Sequence, residues 1–462
     1  MSEGANRVFR ILLLSFIFII GLSQPCCGHA TGTESPLDSD SVQDTDTPSE
    51  PAIDVATDTD ASSETAADIA TDTESDSVLI YIGDSDTASE EDTVVGGGVE
   101  FDTAVDDHAS FEFDFSGLPF VGVNISGPEW DGGSRSWPNQ YLTRGYESYL
   151  KYFRGWGMTT VRLPFKWEYL QPELGGEFDV DEFERMKLTV FHLKKYRARV
   201  LIDMHNYARY GGDLIGSDAV SLDDYADVWQ RLAETFKPYP EVMFDIMNEP
   251  HDMSTAQWVT AANTAVAAIR DTGAKNLIFV TGNGWSGAHS WDQTWTDLDR
   301  KLTNAEAMLQ IVDPLGDDHL IFEVHQYLND ISSDWGECEC RPDSGEIDSG
   351  CTNETVGSYR LQSFTRWLHE NGKKGFLGEF GSYDDTICMA ALDDMLNHIE
   401  QNDAVYVGWT WWSAGPGCAS WQDPIDPYCW SNARQEYLEE YGVEGDEIYG
   451  QVKLLTRHLG TY

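Results

Sequence analysis

Positive charge is what this 462-residue chain has least of: 29 Lys and Arg stand against 80 Asp and Glu, a formal net charge of −51. Nucleic acid and anionic membrane surfaces repel such a chain, so neither is an expected partner. The charge suits a soluble protein that acts on a neutral or cationic polymer. Long apolar runs are also missing where they would matter. Residues 11–22 form an apolar stretch of 12, too short to cross a bilayer as a helix. Cysteine is sparse: of eight, Cys26 and Cys27 lie near the N-terminus and the other six fall between Cys338 and Cys429.

What is present divides the chain in three. Residues 1–30 read as a signal peptide, with Arg7 and Arg10 before the apolar stretch and Gly28-His29-Ala30 as small residues for cleavage. A lipoprotein signal using Cys26 or Cys27 is the alternative, although Ser23-Gln24-Pro25 matches it poorly. Residues 31–110 read as a low-complexity acidic linker rich in Thr, Ser and Asp. Its first 70 positions hold 20 acids and no Lys or Arg, too little apolar surface to offset the entropy of ordering. That composition predicts a disordered, self-repelling tether. Calcium binding by the acids is the competing reading, and the apolar patch at residues 78–82 fits neither. An even cysteine count behind an export signal points to disulfides, with buried thiols as the alternative. Cys418 and Cys429 are placed to staple a proline-rich loop. Cys338 and Cys340 are left over, and a bond across one residue would be strained.

Residues 111–462 read as globular. Eight apolar strand candidates fall at 120–124, 159–164, 199–205, 242–248, 276–281, 319–325, 375–380 and 404–412. Helical stretches lie between most of them, at 141–155, 180–196, 222–237, 255–273, 356–371 and 390–402, and 451–459 closes the series. Ser254 is a suitable N-cap for the helix at 255 and Gly273 a suitable stop. Strand and helix alternating eight times predict an α/β fold, a (β/α)8 TIM barrel. The span exceeds the roughly 250 residues usual for that fold, so loop insertions are expected at 284–301 and 326–358.

Active residues of such barrels sit at the strands' C-terminal ends. The ends read Val161-Arg162-Leu163-Pro164, Asp203-Met204-His205-Asn206-Tyr207, Asn248-Glu249-Pro250, Glu323-Val324-His325-Gln326-Tyr327, Gly378-Glu379-Phe380 and Trp409-Thr410-Trp411-Trp412. Two glutamates at the tips of two strands can present two carboxyls to one bond, the machinery of glycoside hydrolysis. Each residue also has a structural reading: the glutamates as strand-end ion pairs, Arg162 as counter-ion to a buried acid, His205 and His325 as core histidines, Trp412 as packing.

Taken in order, these motifs resemble glycoside hydrolase family 5, and residues 310–328 are most similar to its fungal-type endoglucanase branch. The resemblance covers residues 120–412, although strand eight departs from the glycine-rich ending of that branch. It implies a secreted retaining endo-β-1,4-glucanase with Glu249 as acid and then base and Glu379 as nucleophile. Arg162 would keep Glu379 ionised and Tyr327 would orient it. Asn248 would reach the sugar 2-OH, and Trp412 would floor the cleavage point. His205, Asn206 and His325 would support or bind the sugar. Cys351 and Cys388 would pair. No metal or cofactor is implied, and a monomer acting on a β-glucan polysaccharide is expected, secreted and in the minority reading anchored to the cell surface. With sixteen tryptophans in the chain, Trp130, Trp137, Trp167, Trp285 and Trp291 are candidates to line a cleft as flat sugar-stacking surfaces. Within the family, a β-mannanase or xyloglucan hydrolase is the rival. From another class, the rival is a non-catalytic carbohydrate-binding surface protein, which would need neither glutamate.

Overall fold

A computed structural model describes residues 114–129, 155–328, 354–381, 386–415 and 450–459. Eight parallel strands close a barrel in sequence order, β1 Phe120–Ile125, β2 Thr160–Phe165, β3 Arg199–Met204, β4 Val242–Asp245, β5 Ile278–Thr281, β6 Leu320–His325, β7 Lys374–Phe380 and β8 Tyr406–Ala414, with β8 hydrogen-bonded back to β1. All eight expected strands are present, with ends that differ by a few residues. The helices are α1 Val180–Lys195, α2 Leu222–Phe236, α3 Thr255–Asp271, α4 Val356–Asn371, α5 Thr386–Gln401 and α6 Gly450–Arg457. The expected helix at 141–155 falls almost wholly outside the described residues, as do the signal, the linker, and Cys338, Cys340, Cys351, Cys418 and Cys429. Among the described residues no helix is long and apolar enough to cross a membrane.

Local chemistry explains the element ends. Ser221 caps α2 through a capping box with Asp224, which satisfies backbone donors that the helix leaves open. Every third or fourth residue of α2 from Tyr225 to Phe236 faces the barrel and is buried. Gly372 ends α4 at φ +62°, a conformation that costs glycine little. At α3 the expectation needs correcting. Ser254 occupies the N-cap position, but its side chain makes no cap hydrogen bond. Asp297, from the loop after β5, accepts from Thr255 N at 2.9 Å instead.

The barrel interior is layered, because inward residues recur every second position along a strand. Phe120, Leu201, Met243, Leu277, Phe279, Ile321, Phe376 and Val407 form one buried apolar cluster. Two residues further along several of those strands, the inward positions become Asp203, Asp245, Glu323 and Gly378. A floor of hydrocarbon thus carries a layer of charge, and the strand tips lie above it.

Candidate active site

Arg162 of β2 is fully buried and holds the charged layer together. Its guanidinium lies 3.0 Å from Asp203 Oδ2, 2.8 Å from Asp245 Oδ2 and 3.0 Å from Glu323 Oε1. Glu379 Oε2 is further off, at 3.6 Å. Arg162 was expected to serve Glu379 first. Its closest acidic contacts instead go to three acids that stand in or just before those strand ends without a role assigned to them, and it also donates to Asn124 Oδ1 and Asn248 Oδ1. Burial pushes the Asp245 carboxyl well above the ordinary range, with Glu323 acting the same way and Arg162 opposing. Burial also works against a charge on Asp203, but Arg162 and His205 outweigh it and its pKa falls. Gly378 makes the layer possible: a Cβ there would stand 1.7 Å from Glu323 Oε1.

The two glutamates meet above this layer. Glu249 follows β4 with φ at +44°, a left-handed backbone that is costly for a glutamate. Glu379 is the penultimate residue of β7 and 6% exposed. One carboxylate oxygen of each lies within 4.8 Å of the other and of a His325 ring nitrogen. His325 Nδ1 faces Glu249 Oε1 at 2.7 Å and Glu379 Oε2 at 3.7 Å, and Nε2 faces Glu323 Oε1 at 3.3 Å. Burial penalises a charged imidazole, yet Glu379, Glu249 and Glu323 more than offset it and raise the His325 pKa to about 10. Tyr327 donates its hydroxyl to Glu379 Oε1 at 2.5 Å. The Glu379 carboxyl is pushed up by burial and by Glu249, against His325 and Arg162.

The remaining candidates have distinct places. His205 Nδ1 faces Asp203 Oδ2 at 2.7 Å, and Nε2 accepts from the Asn248 amide at 3.2 Å. Its ring stacks on Trp412, 5.4 Å between centroids, and the Trp412–Ser413 peptide is cis. Asn206 points away from the glutamates: it accepts from Trp167 N and donates to Glu168 and to Arg209 O, so it ties two loops together. Trp285 is 44% exposed and stacks flat on His251 at 4.6 Å. Trp167 and Trp291 were expected to line a cleft and do not. Both are fully buried, the first against Tyr210 and Tyr225, the second against Phe364 and Trp367. Trp130 and Trp137 fall outside the described residues. Cys388 is buried on α5. Six of the nine described non-glycine residues with left-handed φ — Tyr207, Ala208, Glu249, Asp252, Trp285 and Ser286 — follow closely on the ends of β3, β4 and β5, at the rim of the site.

Glu249, His325 and Glu379 are the described group close enough to share a cation. A metal would require an unprotonated ring nitrogen, whereas both nitrogens of His325 face carboxylate oxygens.

Two carboxyls converging at the C-terminal mouth of a (β/α)8 barrel define a glycoside hydrolase. Residues 114–415 match the family model for cellulase, glycosyl hydrolase family 5. Endo-β-1,4-glucanase B of Emericella nidulans is 34% identical over 317 residues, 68% of this chain and 87% of that one. An endo-β-1,4-glucanase from Xanthomonas axonopodis pv. citri superposes with a TM-score of 0.60 at 36% identity, covering 74% of this chain and 98% of the other. Endoglucanase Cel5A of Pseudomonas stutzeri, solved with cellobiose, superposes with a TM-score of 0.60 at 32% identity, covering 75% and 94%. The chain belongs to glycosyl hydrolase family 5, the cellulase family.

Proposed function

We propose that this hydrolase is a retaining endo-β-1,4-glucanase in which Glu379 is the nucleophile and Glu249 the general acid and then the general base. One observation carries the reading: Glu249 and Glu379 place carboxylate oxygens within 4.8 Å of each other. Retaining enzymes hold their carboxyls about 5–5.5 Å apart, whereas inverting enzymes need about 6.5–9.5 Å to admit a water. The activity named for the relatives supports the same substrate, a β-1,4-glucan.

Glu379 attacks the anomeric carbon while Glu249 protonates the departing glycosidic oxygen. The resulting glycosyl ester is then opened by water, which Glu249 deprotonates. The hydroxyl of Tyr327 fixes the attacking carboxylate and donates to it. Asn248 is the candidate for the sugar 2-OH. Its Oδ1 is taken by Arg162 and one amide N–H by His205, which leaves the second N–H for the sugar. Trp412, held face to face with His205, forms the floor, and exposed Trp285 offers a sugar-stacking face beyond Glu249. Export through residues 1–30 is part of the proposal.

A 2-deoxy-2-fluoro-β-cellobioside with a good leaving group tests the assignment. It should trap a stable glycosyl ester, and mass spectrometry of the digest should find the added mass on the peptide containing Glu379. Label on another residue, or none with activity intact, would remove Glu379 as nucleophile.

A further inference from the structure

Glu323 is a buried acid that the scheme above leaves without a task. It lies on β6, two residues before His325 and on the same inward face, with no exposed surface. Oε1 forms an ion pair with Arg162, 3.0 Å from Nε, and faces His325 Nε2 at 3.3 Å. The other ring nitrogen faces Glu249 Oε1 at 2.7 Å. The backbone of β7 makes room for this arrangement, because only a glycine at 378 leaves the space that the carboxylate fills. With an acceptor oxygen at each nitrogen, the ring is held as a donor on both sides.

We propose that Glu323 is a positioning residue that holds a proton on the His325–Glu249 pair, and so sets the highest pH at which Glu249 can protonate the leaving oxygen. The proposal rests on Glu249 being the proton donor. Nδ1 and Oε1 are close enough to share one proton. The proton leaves the pair when the glycosidic oxygen departs and returns when Glu249 takes one from the incoming water. A carboxylate at Nε2 keeps the proton on the pair as pH rises; a neutral group there would release it earlier.

The charged groups around His325 come from every side. Glu249 follows β4, Glu379 lies on β7 at 3.7 Å and Glu323 is on its own strand. Asp203 of β3 and Asp245 of β4 also feel its charge, and Arg162 of β2 faces the same Glu323 oxygen from below. Arg162 stays charged at any working pH, so its repulsion is constant and the carboxylates decide the proton.

Two measurements test this on the full chain. The first uses wild-type protein labelled with ¹⁵N at histidine, the His325 signals being assigned by their loss in His325→Gln. At pH 7.5 the ring should show imidazolium shifts; a neutral ring would overturn the proposal. The second is the pH profile of kcat/KM for Glu323→Gln on cellotetraose. Its alkaline limb should move down by at least about one pH unit, as expected for losing an opposite charge at this distance. The loss should be smaller on a dinitrophenyl cellobioside, whose leaving group needs no proton. A uniform fall in activity with an unchanged profile would mean a merely structural role and would also overturn it. The ring titration stands apart from the function proposed above: a failed glycosyl-enzyme trap would remove Glu379 as nucleophile without touching it, and a neutral ring would leave the trap's result in place.

Discussion

At the scale of single residues, the site is a problem in charge balance. Asp203, Asp245, Glu323 and Glu379 crowd one guanidinium, and isolated buried carboxylates are too costly to keep ionised without such a partner. The strand tips announced Arg162, Glu249, His325, Tyr327 and Glu379, because polar residues stood where apolar runs ended. Asp203 and Glu323 stood in those same ends and Asp245 just before Glu249, but no role followed for them, because each reads as a lone interruption in a hydrophobic strand. A signal was available: Asp203 precedes His205 by two and Glu323 precedes His325 by two, which puts each acid and its histidine on one face. Gly378 is the least conspicuous member of the set. Replacing it with alanine would drive a methyl group to 1.7 Å from Glu323 Oε1, so Gly378→Ala should destabilise the fold by about 1–3 kcal/mol. A thermal melt unchanged from wild type would show that Glu323 is not fixed where the structure places it.

At the scale of elements, hydrophobic periodicity located the strands and most helices, since each is a continuous or amphipathic run between breakers. It could not separate tryptophans that serve the core from those that face sugar, because an indole suits both. Position within the loop decides. Trp291 lies three residues past a short 3₁₀ turn start and packs beneath α4 against Phe364 and Trp367. Trp285 stands on a left-handed backbone at the rim with its ring on His251. The two should therefore respond oppositely. Trp291→Ala should cost about 3–5 kcal/mol of stability. Trp285→Ala should leave the melt within about 0.5 kcal/mol and raise KM for cellotetraose about 2–10-fold. Calorimetry and steady-state kinetics on both variants check this, and equal effects on stability would contradict the placement of Trp285.

At the scale of the whole molecule, alternating strand and helix made the closed barrel legible, whereas the meeting of Glu249 with Glu379, 130 positions apart in the sequence, needed the closure itself. The buried charge also sets the pH response of the fold. His325 has a folded pKa of about 10, above the roughly 6.5 of an unfolded histidine. Its contribution to stability is therefore complete below about pH 6.5 and is lost as pH rises through about 10. Asp245 acts in the same direction, since its folded pKa is raised by burial and by Glu323. Melting temperature should fall steadily from pH 6.5 to 10 in the wild type and much less in His325→Gln; parallel curves would contradict the raised value. Two carboxyls at retaining distance act on one glycosidic bond, Glu379 at its anomeric carbon and Glu249 at its oxygen, and the anomer first released reports this most directly. Proton NMR in the first minutes of cellotetraose hydrolysis, before mutarotation, should show the β product, and initial α product would contradict the account.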